Sequence, residues 1–523
     1  MQQSLLAISV LGLMVAGCKS SSTTPTPTCA VSAISLSGAP ATLTVGATAT
    51  VVATVTQQNC TNLVVTWGSS STALLTVDQG GVITGIAAGG PVTITASAGG
   101  KSGTTQVTVT ALPVATVTVA PDSIIVGLGT TFQLAATTRA ADNSVLTGRL
   151  VTWASAAGAT ATVSTAGMVT AAAAGSTTVT ATSETRSGTS KVFVATPRLA
   201  YFWNNFATPG GVQTPSGAYS YSLGGGANSV NSSATGSYDL AYTSFARTGA
   251  ETEALFVTAY SGTAGSYCTI GGWSNESATA RCWDAAGVAA DNNFDFLAMG
   301  SGTFGGRFGY AWVNTASPAA PYEPSAAYRF SSSNLPITVT KTATGIYSVL
   351  FAGLGRATGS DREAVMVSSY GGSNILCQPS GWSSTGSDLT VTVYCITNGG
   401  VSTDSRFTIG VFSSPRTGAT MGYVDADQPS SATPYSPANS KVLPSGTATV
   451  TRTGTGAYDV RLEGLARSGL LKETFLITAV GTTSVRCQSA GWSFDSTGVT
   501  SSVSCASMFG VPTDSRFVLI GLQ

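Results

Sequence analysis

The sequence predicts an all-β protein built as a row of small sandwich or barrel domains. Three observations carry that prediction. Apolar residues alternate with polar ones over short runs such as ATATVVATV at 47–55 and TTFQLAATT at 130–138, so every second side chain can face a core. Gly, Ser and Pro separate these runs at short intervals. Finally, two blocks of sequence recur, one twice and one three times, as tandem domains of a 523-residue chain would.

Composition narrows the function classes. Lys plus Arg and Asp plus Glu each total 23, and only 9% of residues are charged. There is no basic field to hold phosphates, so nucleic acid is not an expected partner. Histidine is absent, which removes the commonest neutral-pH base and the commonest zinc ligand. An enzyme would have to work with carboxylates, Lys, Tyr, Ser or Cys; none is expected here, and no cofactor or metal.

Residues 1–18, MQQSLLAISVLGLMVAGC, read as a signal peptide with an apolar run from Leu5 to Ala16. The run is short for a bilayer span. Its end, Val15-Ala16-Gly17-Cys18, resembles the bacterial lipobox, although no Lys or Arg precedes the run. That resemblance implies cleavage before Cys18 and its lipidation, with residues 19–28 (KSSSTTPTPT) as a flexible tether. Export and a lipid anchor in the outer membrane or at the cell surface follow, since Lys19 and Ser20 include no acidic retention residue. Membrane contact is expected through that anchor only.

The other eight cysteines fall into local pairs without a CxxC spacing: Cys29 with Cys60, Cys268 with Cys282, Cys377 with Cys395, and Cys487 with Cys505. Disulfides in an oxidising compartment are the expectation.

In the first repeat family, VVTWGSSS around Trp67 is answered by LVTWASAA around Trp153, and GVITGIAAG from Gly81 by GMVTAAAAG from Gly167, both 86 residues on. With the valine-rich first strand and the VG turns at Val45-Gly46 and Val126-Gly127, these features resemble the bacterial Ig-like group 2 domain. The resemblance implies two Ig-like β-sandwiches, at 29–111 and 112–197. Trp67 and Trp153 are expected to plug the cores from central strands.

The second family runs three times, at 198–300, 307–412 and 416–523. Its checkpoints are a tyrosine (Tyr201, Tyr310, Tyr423), then GSYDL, GIYSV and GAYDV from Gly236, Gly345 and Gly456, then a cysteine followed by Gly-Trp (Trp273, Trp382, Trp492) and a second cysteine, and last ADNNF from Ala290 or TDSRF from Thr403 and Thr513. About eight strands per copy predict one sandwich or small barrel each, joined by linkers at 300–306 and 413–418. These checkpoints resemble repeats of uncharacterised secreted bacterial proteins, which carry no function with them.

TDSRF reads as a folding signal. Its Asp would bond nearby backbone N–H groups and its Phe would enter the core, with an exposed Asp–Arg pair worth about 1 kcal/mol at most. GxGxxG at 300–305 lies in a linker without a following helix and predicts no nucleotide site. Asp425 and Asp427 read as a solvated turn, and the carboxylate pairs Glu251 with Glu253 and Asp361 with Glu363 are the weak candidates for glycoside hydrolysis, none of them recurring in all three copies. The ligand-binding candidates are Trp273, Trp382 and Trp492 with Tyr322 and Tyr435, whose flat faces suit sugar rings, or else pack on the disulfides.

Two functions result. One is a surface-anchored protein of adhesion or glycan binding, with the Ig-like pair as stalk and the C-terminal copies as the binding part, its partners cell-surface or environmental glycans or proteins. The other is an envelope or matrix spacer.

Overall fold

In a computed structural model, residues 28–205, 210–246, 252–260, 264–356, 363–415, 420–443, 445–465 and 473–523 are described. The chain divides into two units: one holds the first sandwich, and the other holds the second sandwich together with the three C-terminal copies. Apart from one 3-10 turn, Ala326–Tyr328, every regular element described is a strand.

The two N-terminal domains have the same topology. In the first, the four-stranded sheet runs Thr42–Thr44, Lys101–Thr110, Gly89–Ala98, Thr66–Ser69, with a three-stranded and a two-stranded ribbon beside it. Alternation decides what faces inward: Val92, Ile94, Val107 and Val109 are at most 2% exposed, while the threonines between them are not. Trp67 and Trp153 differ from expectation in place. Each stands on the edge strand of its four-stranded sheet and is half-buried. The edge position explains the repeated glycine, because a Cβ on Gly81 or Gly167 would lie 2.8 Å from the indole of Trp67 or Trp153. Both glycines also hold positive φ, +78° and +83°.

Each C-terminal copy is a sandwich of two antiparallel sheets. In the second copy the inner sheet runs Arg329–Ser331, Phe304–Val313, Arg406–Pro415, Ala364–Tyr370, and the outer one Ile337–Ala343, Ile346–Phe351, Asp388–Thr397, Ile375–Thr385. Every sandwich has its own apolar filling, such as Val349, Phe351, Val391 and Ile409 in the second.

The copies are not beads on linkers. Their inner sheets turn a second face to a shared core in which Tyr201, Phe256 and Leu297 of the first copy meet Phe308, Tyr310 and Phe412 of the second and Tyr423, Leu476 and Ile520 of the third. Strands buried on both faces need continuous apolar runs, and Glu253–Tyr260 is buried from Glu253 to Ala259.

Around this core the copies close a ring. The Thr258 hydroxyl donates to the Ile477 carbonyl of the third copy at 3.1 Å, Ser368 to Val257 of the first at 3.4 Å, and Thr478 to Val367 of the second at 3.4 Å. These three hydroxyls occupy one position of the repeat. Main-chain contacts follow the same cycle: Gly371 N donates to Ile270 O at 2.7 Å, Gly481 N donates to Pro379 O at 2.9 Å, and Tyr260 pairs with Ser489 across a parallel bridge. A single chain thus makes a pseudo-threefold head. The segment expected as a linker after Gly300 is instead a tight turn whose Ser301, Thr303 and Phe304 are buried.

Candidate functional site

The four disulfides are formed: Cys29–Cys60, Cys268–Cys282, Cys377–Cys395 and Cys487–Cys505. In the C-terminal copies the paired cysteines stand directly opposite on neighbouring strands. Two residues on, the register slips at Ile270/Gly272, Pro379/Gly381 and Ser489/Gly491. A bulge re-aims the side chains that follow it, and here these include the three candidate tryptophans.

Each of those indoles goes into a seam between copies, half-buried. Trp273 of the first copy meets Trp312, Tyr328 and Tyr370 of the second, with centroids 5.1–5.6 Å apart. Trp492 of the third meets Trp203, Tyr219 and Tyr260 of the first at 5.2–5.8 Å, and its Nε1 donates to Glu473 at 3.1 Å. At the remaining seam the partners have changed. Asp425 stands where the other copies have Trp203 and Trp312, and Trp382 lies 5.0 Å from the guanidinium of Arg516, which pairs with Asp425 at 2.6 Å. The five aromatics therefore do not form a sugar-stacking row. The three tryptophans sit on strands and their faces are used within the chain, because a bulged strand points them at the neighbouring copy. Tyr322 and Tyr435 bridge to Val339 and Val450, and their hydroxyls accept from Thr315 N at 3.2 Å and Gln428 N at 3.0 Å.

The TDSRF motif locks each copy internally. Asp291, Asp404 and Asp514 accept from the backbone N–H of Gly236, Gly345 and Gly456 at 2.7–2.8 Å. The acceptor thus reaches a hairpin turn more than fifty residues back in sequence, rather than its own neighbours. Tyr238, Tyr347 and Tyr458 complete the lock, their hydroxyls accepting from Asn292, Ser405 and Ser515 N at 2.8–3.1 Å. Phe294, Phe407 and Phe517 are fully buried. The expected Asp–Arg pair is replaced: Asp404 pairs with Lys341 and Asp514 with Arg452, while Arg406 lies over Tyr370 at 4.9 Å. Lys341 and Arg452 hold Asp404 and Asp514 below the usual carboxylate range.

Asp425 is no solvated turn. It lies on strand Met421–Ala426, 3% exposed, in the ion pair with Arg516. Among the hydrolysis candidates, Glu251 and Asp361 lie outside the described residues, as does Cys18. Glu253 and Glu363 prove to recur: with Glu473 they stand at the head of the same strand of every copy, Glu253 as its first residue and the other two just before it, at most 1% exposed. Glu363 is clamped by Arg307 at 3.1 Å and Arg356 at 2.6 Å. Asp295, buried where the first copy meets Thr474 of the third, has its carboxyl pushed well above the ordinary range by burial. Such paired or buried carboxyls build seams.

Among the described residues, two exposed features stand out. One is a cleft of about 510 Å³ between the second sandwich and the second copy, lined by Ile125, Lys191, Phe193, Arg329, Asn334 and Leu335; there Ile125 N donates to Asn334 Oδ1 at 2.9 Å. The other is one end of the head, where loops 284–289, 397–402 and 507–512 meet. A Cβ on Gly287 would lie 2.8 Å from the Asn398 amide, one on Gly400 3.9 Å from Met508 Sδ, and one on Gly510 3.6 Å from Ala285 Cβ. Beneath them Arg486 of the third copy, 3% exposed, donates to Gly265 O at 2.9 Å and Ala285 O at 3.2 Å and reaches the Asn398 amide oxygen. One side chain thereby ties all three copies.

Among the described residues no helix is long and apolar enough to cross a membrane, and no cluster of three or more His, Cys, Asp or Glu is placed to hold a metal ion.

Over 136 residues, 26% of the chain, the sequence is 36% identical to ice-binding protein 1 of Shewanella frigidimarina (strain NCIMB 400); the match spans 15% of that relative's length. Among solved structures, domains 4 and 5 of the S-layer protein SbsC match 32% of this chain and 98% of their own at 24% identity and a TM-score of 0.18. The Escherichia coli adhesin FdeC matches over 48% of this chain and 87% of its own, at 16% identity and a TM-score of 0.24. At these TM-scores neither likeness bears on what the chain does. Residues 113–194 match the bacterial Ig-like domain of group 2, and the first sandwich repeats that domain's strand order.

Proposed function

We propose that the chain is an exported protein of the bacterial surface, lipid-anchored at Cys18, that works in adhesion through its C-terminal head. One observation carries the reading: three copies are fused around one core so that homologous loops from all of them form a single composite end. A spacer needs independent modules in series, whereas a composite end has use where something is to be met there. The partner proposed is the surface of another cell, glycan or protein components included.

The test uses the chain from Lys19 to Gln523, coupled to beads and offered to bacterial and host cells. Adhesion above that of albumin-coated beads to at least one cell type is the expected result. Adhesion no greater than the albumin control across the panel would leave the spacer role in its place.

A further inference from the structure

We propose that the three-loop end of the head is a lipid-contacting cap that inserts its apolar tips into the interface of an uncharged or zwitterionic membrane. The proposal rests on the adhesion reading and names the chemistry of the surface met.

The internal repeat supplies the first argument. Of the six residues in each loop, DAAGVA, TNGGVS and SMFGVP, only Gly-Val is common to all three. The glycines have a structural reason, φ of +76°, +76° and +74°. The valines have none: Val288, Val401 and Val511 are 62%, 65% and 58% exposed, and Phe509 beside them is 78% exposed. Three divergent loops that keep an apolar residue in water keep it for something outside the fold.

The chemistry of the loops then selects the partner. The main-chain polar groups that close each loop are satisfied from within. Asp284, Thr397 and Ser507 N–H donate to the carbonyls of Val288, Val401 and Val511 at 2.8–2.9 Å, and Gly287, Gly400 and Gly510 N–H return to Asp284, Thr397 and Ser507 at 2.9–3.0 Å. Val288 and Val401 N–H are taken by the side chains of Asp284 and Thr397 at 2.8 and 3.2 Å. Backbone paired in this way can leave water cheaply, which lipid demands of anything that enters it. Asp284 is the only charged residue in the three loops, and its carboxylate is engaged by that N–H. With no Lys or Arg at the tips, an anionic headgroup has nothing to pair with, and neither has nucleic acid.

Self-association fits less well. Three valines and one phenylalanine at these exposures present on the order of 400 Å², so two caps meeting would bury roughly 800 Å², short of the ~1,200 Å² of a stable interface.

The experiment is flotation of the chain Lys19–Gln523, free of its anchor, with phosphatidylcholine vesicles. The wild type is expected to float with the vesicles at both 0.1 and 0.5 M NaCl, and Val288→Asp/Val401→Asp/Phe509→Asp to lose at least tenfold of the bound fraction. The variant's far-ultraviolet dichroism and thermal midpoint should stay unchanged, as exposed positions allow. Lys191→Asp, at the cleft, should float as the wild type does.

No flotation of the wild type, flotation abolished by 0.5 M salt, or equal flotation of the triple variant overturns the proposal. So does a sedimenting dimer that the triple variant dissolves, which would make the cap a contact between copies of this chain. Beads that adhere to cells while the free chain ignores vesicles would remove the lipid and leave the adhesion reading standing.

Discussion

Replacing Trp492 by alanine tests whether the tryptophan beside each disulfide is a seam anchor. The indole contacts Trp203, Tyr219 and Tyr260 of the first copy and Phe475 of its own. A fully buried Trp→Ala change costs about 3 to 5 kcal/mol, and half-burial brings the packing share to about 2 kcal/mol. The change also strips Glu473, 1% exposed, of the N–H that it accepts at 3.1 Å, adding about 1 to 3 kcal/mol. The sum is about 3 to 5 kcal/mol. Trp492→Phe keeps most of the ring contact and should show mainly the second part. Trp273→Ala should show mainly the first, since the Trp273 Nε1 is buried without a partner among the described residues. Urea unfolding of the oxidised chain, followed by far-ultraviolet dichroism, reads all three. A Trp492→Ala chain within about 0.5 kcal/mol of wild type would mean an exposed ring, and the seam account would fail.

Three further outcomes are expected. Asp295 has a folded pKa raised above its unfolded one, so its stabilising, protonated state is fully present at low pH and is lost as pH rises through the folded value; Asp295→Asn should therefore gain on wild type between pH 4 and pH 8, and a gap that ignores pH would contradict the burial. Asp404→Ala should cost about 1 to 2 kcal/mol in urea unfolding by opening the Gly345 turn, and Arg406→Ala less than about 1 kcal/mol, because a hydrogen bond accepted by a charged group outweighs an exposed stacking contact; the reverse order would overturn the lock. Mass spectrometry of the membrane fraction should find an acylated N-terminal Cys18, whereas an unmodified N-terminus elsewhere would remove the anchor.

How far the sequence spoke depended on range. Local signals were sufficient for strands, for sandwiches and for the cysteine pairs, since cysteines opposite one another on a hairpin are near in sequence as well as in space. The Asp of TDSRF was recognisable as structural, but its partner was not, because Gly345 and Gly456 lie 59 and 58 residues away. The ring of copies went unread although a signal existed. Ala254–Ala259 and Phe475–Val480 are apolar without alternation except at Thr258 and Thr478, and such strands need a core on each face. The tryptophans were left open between a sugar platform and packing beside the disulfide, and their seam went unread for the same reason: a platform and a seam anchor share one composition, and the neighbouring copy alone decides between them. The exposed Gly-Val tips could have been found by aligning the three copies, had exposure been known.

The closed head is tested most directly by its cooperativity. One environment-sensitive probe per copy, attached in separate chains at exposed Ser274, Ser383 and Ser493, should report a single urea midpoint shared by all three, because the core around Phe256, Phe308 and Leu476 belongs to no copy alone. Three separate midpoints, one for each copy, would show independent beads and contradict the ring.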